Sequence, residues 1–163
     1  MHTARTLISA LFAVALGAAG SASASGAAPT GAWISEKGGL VLDIQHCGEA
    51  LCGTIVWLKK PYRKNGELRR DAKNDDPSLR DRPWCGITVI RGARPDGDGR
   101  WGDGTLYDPK RGATFGVELR PKSADEMDIR AYAGLRAFGK TERFVRSTDG
   151  SKTGCSLAHA ERP

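Results

Sequence analysis

The sequence predicts an all-β protein, a small antiparallel up-and-down β-barrel of about eight strands with one long polar loop. Three observations support this prediction. Short segments alternate apolar and polar side chains, which is the period of a half-buried strand. Glycine, aspartate and proline interrupt these segments at short intervals, as they do at turns. No long stretch keeps a helical period. A barrel is favoured over a sandwich because closure leaves no unpaired edge strand.

Each predicted strand ends at a turn signal. In chain order the strands cover residues 32–35, 40–44, 54–58, 86–90, 104–108, 114–119, 127–132 and 140–146. Leu40, Leu42 and Ile44 share one face of the second strand, as a half-buried strand requires. The same alternation recurs at Phe115, Val117 and Leu119 and again at Met127, Ile129 and Ala131.

One long polar stretch, Lys59 to Pro83, separates the third predicted strand from the fourth. It is dense in charge and shows no sustained period. A loop of this length is unusual in a small domain and is often functional, although it could instead be partly disordered.

Cys47 and Cys52 are expected to form a disulfide across a hairpin between the second and third strands. If residues 48–51 form the loop, the two cysteines face each other and Ile44 pairs with Ile55 on the opposite face. Directly opposed cysteines in a non-hydrogen-bonded pair are close enough to bridge.

A metal site at this hairpin is disfavoured, because alternation points His46 away from Cys47 and a fourth ligand is missing. No metal and no cofactor is expected elsewhere. Cys85 and Cys155 are left as a second candidate pair, but four cysteines allow three pairings and the sequence does not choose among them.

The N-terminal region has the three-part layout of a secretory signal peptide. Arg5 supplies a positive start, an apolar run covers residues 7–19, and Ala22-Ser23-Ala24 fits the small-x-small pattern before a cleavage site. The run is short for a membrane span, with an uncleaved anchor as the alternative. We expect cleavage near Ala24 and export to the periplasm or beyond the cell, which leaves no integral membrane segment. An even number of cysteines in an exported small domain favours disulfides.

After removal of residues 1–24, the chain suits one compact domain. We expect a flexible lead-in at 25–30, a single barrel domain at 31–146 and an irregular polar tail at 147–163. The net charge of +6 is compatible with nucleic acid, but export removes most such partners. The partners expected are a small hydrophobic ligand or an anionic envelope component, although solubility alone also explains the charge.

A series of motifs runs through nearly the whole of the remaining chain. It comprises Gly31-x-Trp33, Ile44-x-x-Cys47-Gly48-x-x-Leu51-Cys52-Gly53-x-Ile55-Val56-Trp57-Leu58, Asp71-x-x-Asn74, Leu79-x-x-Arg82-Pro83-x-Cys85-Gly86, Trp101-x-x-Gly104-x-x-Tyr107-x-Pro109, Ala133-Gly134, Phe138-Gly139-Lys140-Thr141 and Phe144-x-Arg146. In this order the motifs resemble the bacterial exported domain-of-unknown-function family 2147. Two departures are Phe144, where the family pattern has tryptophan, and Cys155, which lies beyond the family core. The resemblance implies export and a small β-barrel, and it supplies no activity.

Gly31-x-Trp33 together with Arg146 in the final strand also resembles the closure of lipocalin-like, or calycin-like, barrels. There the tryptophan seals the barrel floor and an arginine stacks on it, an arrangement that cation–π attraction explains. The resemblance implies a barrel that holds a ligand, although a small eight-stranded barrel can also fill its interior with side chains.

Six side chains are candidates for a ligand site or its rim: Asp71, Asn74, Arg82, Trp101, Tyr107 and Asp108. Trp101 and Tyr107 flank turns that we expect at one end of the barrel, where they could line a pocket or merely pack. Asp71 and Asn74 could bind a hard cation through oxygen, but capping of the loop backbone is favoured. Arg82 is expected to pair with Asp71 or Asp81.

The function expected from the sequence is non-enzymatic binding of a small apolar or amphipathic ligand, or of an envelope partner through the long loop. Two alternatives stay open: an envelope enzyme of the hydrolase type that uses Asp71 or Asp108 as acid or base, and a solid-core inhibitor or structural barrel. Only His46 and His159 would remain after cleavage, so catalysis by a Ser-His-Asp or Cys-His group is poorly supported.

Overall fold

The protein forms a closed eight-stranded barrel in a computed structural model that describes residues 28–155. Each strand pairs antiparallel with its neighbours in chain order, and the first strand pairs with the last. The strands are β1 (Gly31–Ser35), β2 (Leu40–Cys47), β3 (Ala50–Leu58), β4 (Thr88–Pro95), β5 (Trp101–Asp108), β6 (Ala113–Pro121), β7 (Glu126–Tyr132) and β8 (Lys140–Arg146). The predicted all-β barrel is confirmed. The predicted signal peptide, its cleavage site at Ala24 and His159 lie outside the described residues.

Helical structure within residues 28–155 is limited to three single turns, at Pro77–Leu79, Arg136–Phe138 and Gly150–Lys152. Each follows a residue with an extended backbone, and Asp76 and Asp149 cap the first and third turns by accepting a backbone N–H. In this part of the chain, no helix has the length and apolar character needed to cross a membrane.

The β2–β3 hairpin has a tighter turn than the sequence predicted. Gly48 and Glu49 alone form the loop, so Cys47 pairs with Ala50 and Ile44 pairs with Gly53. Gly48 has a φ of +70°, which suits the two-residue turns that match the strand twist. The predicted four-residue loop and the pairing of Ile44 with Ile55 are therefore wrong by two residues.

The absence of a side chain at Gly53 makes this register possible. A Cβ atom at Gly53 would lie 2.9 Å from Ile44 Cδ1 and 3.1 Å from Ile90 Cβ. The two isoleucines, both fully buried, occupy the space that a side chain would need.

Strand β4 continues five residues beyond its predicted end at Ile90. Gly92, with a φ of +72°, interrupts the alternation of apolar and polar residues, so the sequence pattern ends before the strand does. Ala93 then returns to the interior with no exposed surface, and Pro95 still pairs with Trp101.

The barrel has two different ends. The open end carries the β1–β2, β3–β4, β5–β6 and β7–β8 connections, and the closed end carries the other three connections and the start of β1. Fully buried side chains fill the interior toward the closed end, so this half is a packed core. They include Trp33, Ile44, Leu51, Ile90, Val117, Leu119 and Met127.

Trp33 and Arg146 seal the closed end. They are directly paired residues of β1 and β8, and the Arg146 guanidinium lies 4.2 Å from the centre of the Trp33 ring. Arg146 donates to the carbonyls of Thr30, at 2.9 Å, and Ala124, at 2.8 Å. Trp33 Nε1 donates to the Pro29 carbonyl at 2.9 Å. These bonds hold residues 28–30 of the predicted lead-in against the barrel.

The predicted Cys47–Cys52 disulfide is present, and so is the candidate pair Cys85–Cys155. Cys47–Cys52 crosses the β2–β3 hairpin diagonally, with a Cα–Cα distance of 5.8 Å. Cys85–Cys155 joins the end of the long loop to the C-terminal segment, and the Cys155 N–H donates to the Val56 carbonyl at 2.8 Å. Residues after β8 are thus fixed along the outside of β3. Two disulfides indicate an oxidising environment.

Candidate ligand cavity

A cavity of about 650 Å³ opens at the open end of the barrel. Its deep wall is made of core side chains that belong to five different strands, Leu42, Ile55, Val89, Ile129 and Phe144. Leu106 and Phe115 widen the apolar wall toward the mouth. The volume falls within the range of small-molecule sites in proteins. The barrel is therefore packed in one half and hollow in the other.

Charged side chains ring the mouth of the cavity. The basic ones are Lys37, Arg111, Lys140 and Arg143, and the acidic ones are Glu36, Asp108 and Glu142. Arg143 lies 3.8 Å from Glu36, and Arg111 lies 3.7 Å from Asp108. These exposed pairs contribute little to stability, but they leave an apolar interior under a polar rim, which suits a ligand with one polar end.

Phe138 contributes an exposed apolar surface at the mouth. It lines the cavity, yet 81% of it is accessible to solvent. The loop that carries it is attached to the outer wall of the barrel by Arg136, which pairs with Asp96 and, at 2.7 Å, with Asp103. A large apolar side chain held in water at a cavity entrance is suited to contact an apolar ligand.

Four of the six predicted site residues form one network beside this cavity. Asp71 is fully buried, and its Oδ2 atom accepts hydrogen bonds from Arg82 Nη2 and Asn74 Nδ2, each at 2.8 Å. Its Oδ1 atom accepts from the Tyr107 hydroxyl at 2.5 Å. The Asn74 amide also donates to the Tyr107 oxygen at 3.0 Å. Because Tyr107 lines the cavity, the network joins the long loop to the cavity wall.

The network also sets the ionisation of Tyr107. Burial first, and the hydrogen bond to the Asp71 carboxylate second, raise the pKa of Tyr107 to about 12. The phenol therefore stays protonated into the alkaline range, where an ordinary tyrosine ionises, and donates to Asp71. The Arg82 guanidinium lies 5.9 Å from the Tyr107 ring centre, which places a cation between the loop and the wall.

Neighbouring side chains occupy both carboxylate oxygens of Asp71. Three side chains donate to its two oxygens, and the Arg82 cation neutralises its charge. This geometry is that of a carboxylate that orders a loop, and it leaves little capacity for proton transfer to a substrate. Among residues 28–155, no three His, Cys, Asp or Glu side chains are placed to hold a metal ion.

Asp108 lies at the cavity rim, next to the network but not in it. Its Oδ1 atom accepts from the Lys110 backbone N–H at 2.9 Å and so caps the β5–β6 turn. The turn packs closely against the long loop. A Cβ atom at Gly112 would overlap the Lys73 carbonyl oxygen, so only glycine fits there. Asp108 therefore stabilises the turn and places a negative charge at the cavity mouth.

Trp101 does not join the other candidates. It is the first residue of β5, near the closed end, whereas Tyr107 is close to the last. Its ring packs in the core and meets His46 edge-on, with ring centres 6.2 Å apart. The sequence analysis began this strand at residue 104, whereas β5 begins at Trp101 and carries that residue to the far end.

Several cavity residues were not predicted from the sequence. Phe138 lies in an irregular segment with no period to mark it, and Arg111 belongs to a turn that was read only as a turn. Phe115 and Ala131 were predicted to face inward, but alternation alone does not distinguish a residue that lines a void from one that fills the core.

An eight-stranded closed barrel, sealed at one end by a stacked tryptophan and arginine and open at the other, is a lipocalin-like fold. The chain is similar to the solved structure of protein HP1028 from Helicobacter pylori, which is described as belonging to the lipocalin family. The TM-score is 0.63 at 17% identity, over 76% of this chain and 86% of that chain. At this identity the likeness shows the fold alone.

The chain belongs to the family described as an uncharacterized protein conserved in bacteria, DUF2147, whose model matches residues 31–146. The matched range runs from the first residue of β1 to the last of β8, so it is the barrel itself. No curated protein matches the chain.

Proposed function

We propose that this protein binds a small amphipathic ligand, with its apolar part inside the barrel and its polar end at the charged mouth. The observation that supports this function best is the cavity of about 650 Å³ with an apolar wall and a polar rim. A barrel that served only as a solid scaffold would gain stability by filling that volume with side chains.

The rim favours a ligand whose polar end is anionic. Four basic side chains face three acidic ones at the mouth. Two of the basic ones, Arg111 and Arg143, already have carboxylate partners. Lys37 and Lys140 form no ion pair within residues 28–155, so they are placed to receive a carboxylate or similar group.

A fluorescent long-chain fatty acid tests this function. We expect saturable binding of one molecule per chain and a rise in fluorescence as the probe leaves water. Ala131 lines the cavity, so Ala131→Phe fills part of it and is expected to weaken binding by about tenfold or more. The control Ala124→Phe adds the same ring at an exposed position on the closed end. Equal binding by both variants would count against the cavity as the site.

We further propose that the protein works in the bacterial periplasm. Two disulfides and the signal-peptide layout before Ala24 support this location. Fractionation of cells that produce the full chain should release it with the periplasmic contents, at an intact mass that lacks residues 1–24. Recovery of the uncleaved chain from the cytoplasm would refute this location.

A further inference from the structure

A second, smaller cavity lies between the long loop and the β5–β6 turn. Its volume is about 190 Å³, and its lining includes Ala72, Trp84 and Pro109. All the charged side chains that line it are basic: Arg63, Lys64, Arg69, Arg70, Lys73 and Lys110. We call this cavity the basic pocket. It shares only Pro109 with the large cavity and is a separate feature of the surface.

The positive charge of the basic pocket is not neutralised by any carboxylate of the described residues. Within residues 28–155, none of its six basic side chains forms an ion pair with a carboxylate, whereas Arg82, Arg100 and Arg136 all do. Arg69 Nε donates to the Lys60 carbonyl at 2.8 Å, and Arg70 Nη1 donates to the Asp81 carbonyl. Carbonyl oxygens orient these guanidinium groups but leave their charge in place. Concentrating like charges is unfavourable unless an anion relieves the repulsion.

Trp84 lines the pocket and has a hydrogen-bond donor without a partner among the described residues. Its Nε1 atom is buried and has no acceptor among the described residues. The Arg69 guanidinium lies over the Trp84 ring, 5.3 Å from its centre, so the arginine is held in place by the indole. An anion bound by Arg69 would lie beside this indole, so Trp84 reports on occupation of the pocket.

The backbone around the pocket is firmly placed. Arg70 bridges to Pro83, and the Trp84 N–H donates to the Arg69 carbonyl at 3.0 Å. On the other side, the close approach of Gly112 to Lys73 locks the loop against the β5–β6 turn. The basic side chains therefore project from ordered segments and need little further ordering to bind an anion together.

We propose that the basic pocket binds a phosphate group. A planar guanidinium group can donate two parallel hydrogen bonds to two oxygens of one phosphate. A lysine ammonium adds positive charge without requiring one fixed geometry. The volume is below that of ordinary small-molecule sites, so it suits one tetrahedral group and not a whole ligand. The group belongs either to free phosphate or to the headgroup of a phosphorylated lipid.

Titration with inorganic phosphate, followed by NMR of the indole N–H signals, tests the proposal. The described chain has four tryptophans, Trp33, Trp57, Trp84 and Trp101, and Trp84→Phe identifies the signal of interest. We expect a saturable shift of the Trp84 signal, while those of the other three stay in place. In the double variant Lys73→Gln, Lys110→Gln we expect affinity to fall about tenfold, since two cations of the pocket are lost.

The double variant Lys59→Gln, Lys60→Gln is the matched control. It removes the same charge from exposed lysines of the same loop that do not line the pocket. Its affinity should stay within about twofold of the parent protein, because neither side chain lines the pocket and salt screens exposed charges. Equal weakening in both double variants would overturn the proposal, since the effect would then be one of net charge alone.

Co-sedimentation with vesicles distinguishes the two sources of phosphate. Binding to phosphatidic acid vesicles but not to neutral phosphatidylcholine vesicles, with loss in the Lys73, Lys110 double variant, assigns the pocket to a lipid headgroup. Saturation by inorganic phosphate alone, without vesicle binding, assigns it to free phosphate. If neither phosphate nor phosphatidic acid moves the Trp84 signal or binds the protein, the pocket is not a phosphate site. The large cavity and its ligand are unaffected by that result.

Discussion

The position of the long loop depends most on Asp71. It receives four hydrogen bonds from the side chains of Asn74, Arg82 and Tyr107. The sequence predicted that Arg82 pairs with Asp71 or Asp81, both in the same loop, and the structure shows the pairing with Asp71. The contact with Tyr107, thirty-six residues away, depends on closure of the barrel and has no local signal.

Replacing Asp71 with Asn is expected to destabilise the protein by about 2–4 kcal/mol, because it leaves Arg82 without its counter-charge and puts an N–H₂ group among donors. Urea unfolding measures the change. The exposed neighbour Asp75 provides the control, since Asp75→Asn keeps the same chemistry and should cost less than about 0.5 kcal/mol. Similar losses in both variants would show that Asp71 does not hold the loop.

The raised pKa of Tyr107, about 12, makes stability depend on alkaline pH. The unfolded phenol has a pKa of about 10, so the folded state binds the proton more tightly. The contribution is complete below pH 10 and is lost as the pH rises toward about 12. Near-ultraviolet titration should contain a component near pH 12 that Tyr107→Phe removes. A variant whose titration curve matches that of the parent protein at this pH would contradict the network.

The strands are the elements that the sequence predicted best. Most carry a period-two pattern, and glycine, aspartate or proline is common in the segments between them, so their existence can be read locally. The β2–β3 register could not be read in this way. A shift of two residues leaves every side chain on the same face, and loops of two and four residues both satisfy the apolar pattern.

The two disulfides differ in the length of chain that they close. Cys85 and Cys155 are 70 residues apart, and Cys47 and Cys52 are 5 apart. Loop-closure entropy predicts about 4 kcal/mol of stabilisation for the first and about 2 kcal/mol for the second. Urea unfolding of the two double Cys→Ala variants tests this order. A larger loss from opening Cys47–Cys52 would mean that native contacts, and not closure of the chain, dominate.

The β7–β8 loop is expected to act as one side of the cavity mouth. Phe138→Ala removes an exposed ring that lines the cavity and should weaken binding of the fluorescent fatty acid by about fivefold, or about 1 kcal/mol. Leu135→Ala is the control, because Leu135 is 69% exposed in the same loop but does not line the cavity. Equal effects would point to the loop as a whole and not to Phe138.

At the scale of the whole molecule, the sequence predicted a closed barrel but not how its interior is divided. Inward-facing side chains alternate in the same way whether they fill the interior or surround a void. Whether the interior is filled or empty depends on the sizes of the side chains that lie at the same height along the barrel axis. Register and strand tilt decide which side chains those are. Trp33, Trp101 and Met127 fill the closed half, whereas Ala131 and the aliphatic side chains of the open half leave about 650 Å³.

We propose above all that the open half of the barrel binds an amphipathic ligand. NMR of Ile, Leu and Val methyl groups, recorded while a long-chain fatty acid is added, tests it most directly. We expect the signals of the cavity-lining residues Leu42, Ile55, Val89 and Ile129 to shift together and saturate. The signals of Ile44, Leu51 and Leu119 in the packed half should stay in place. Shifts confined to surface methyl groups, or no saturable shift at all, would contradict it.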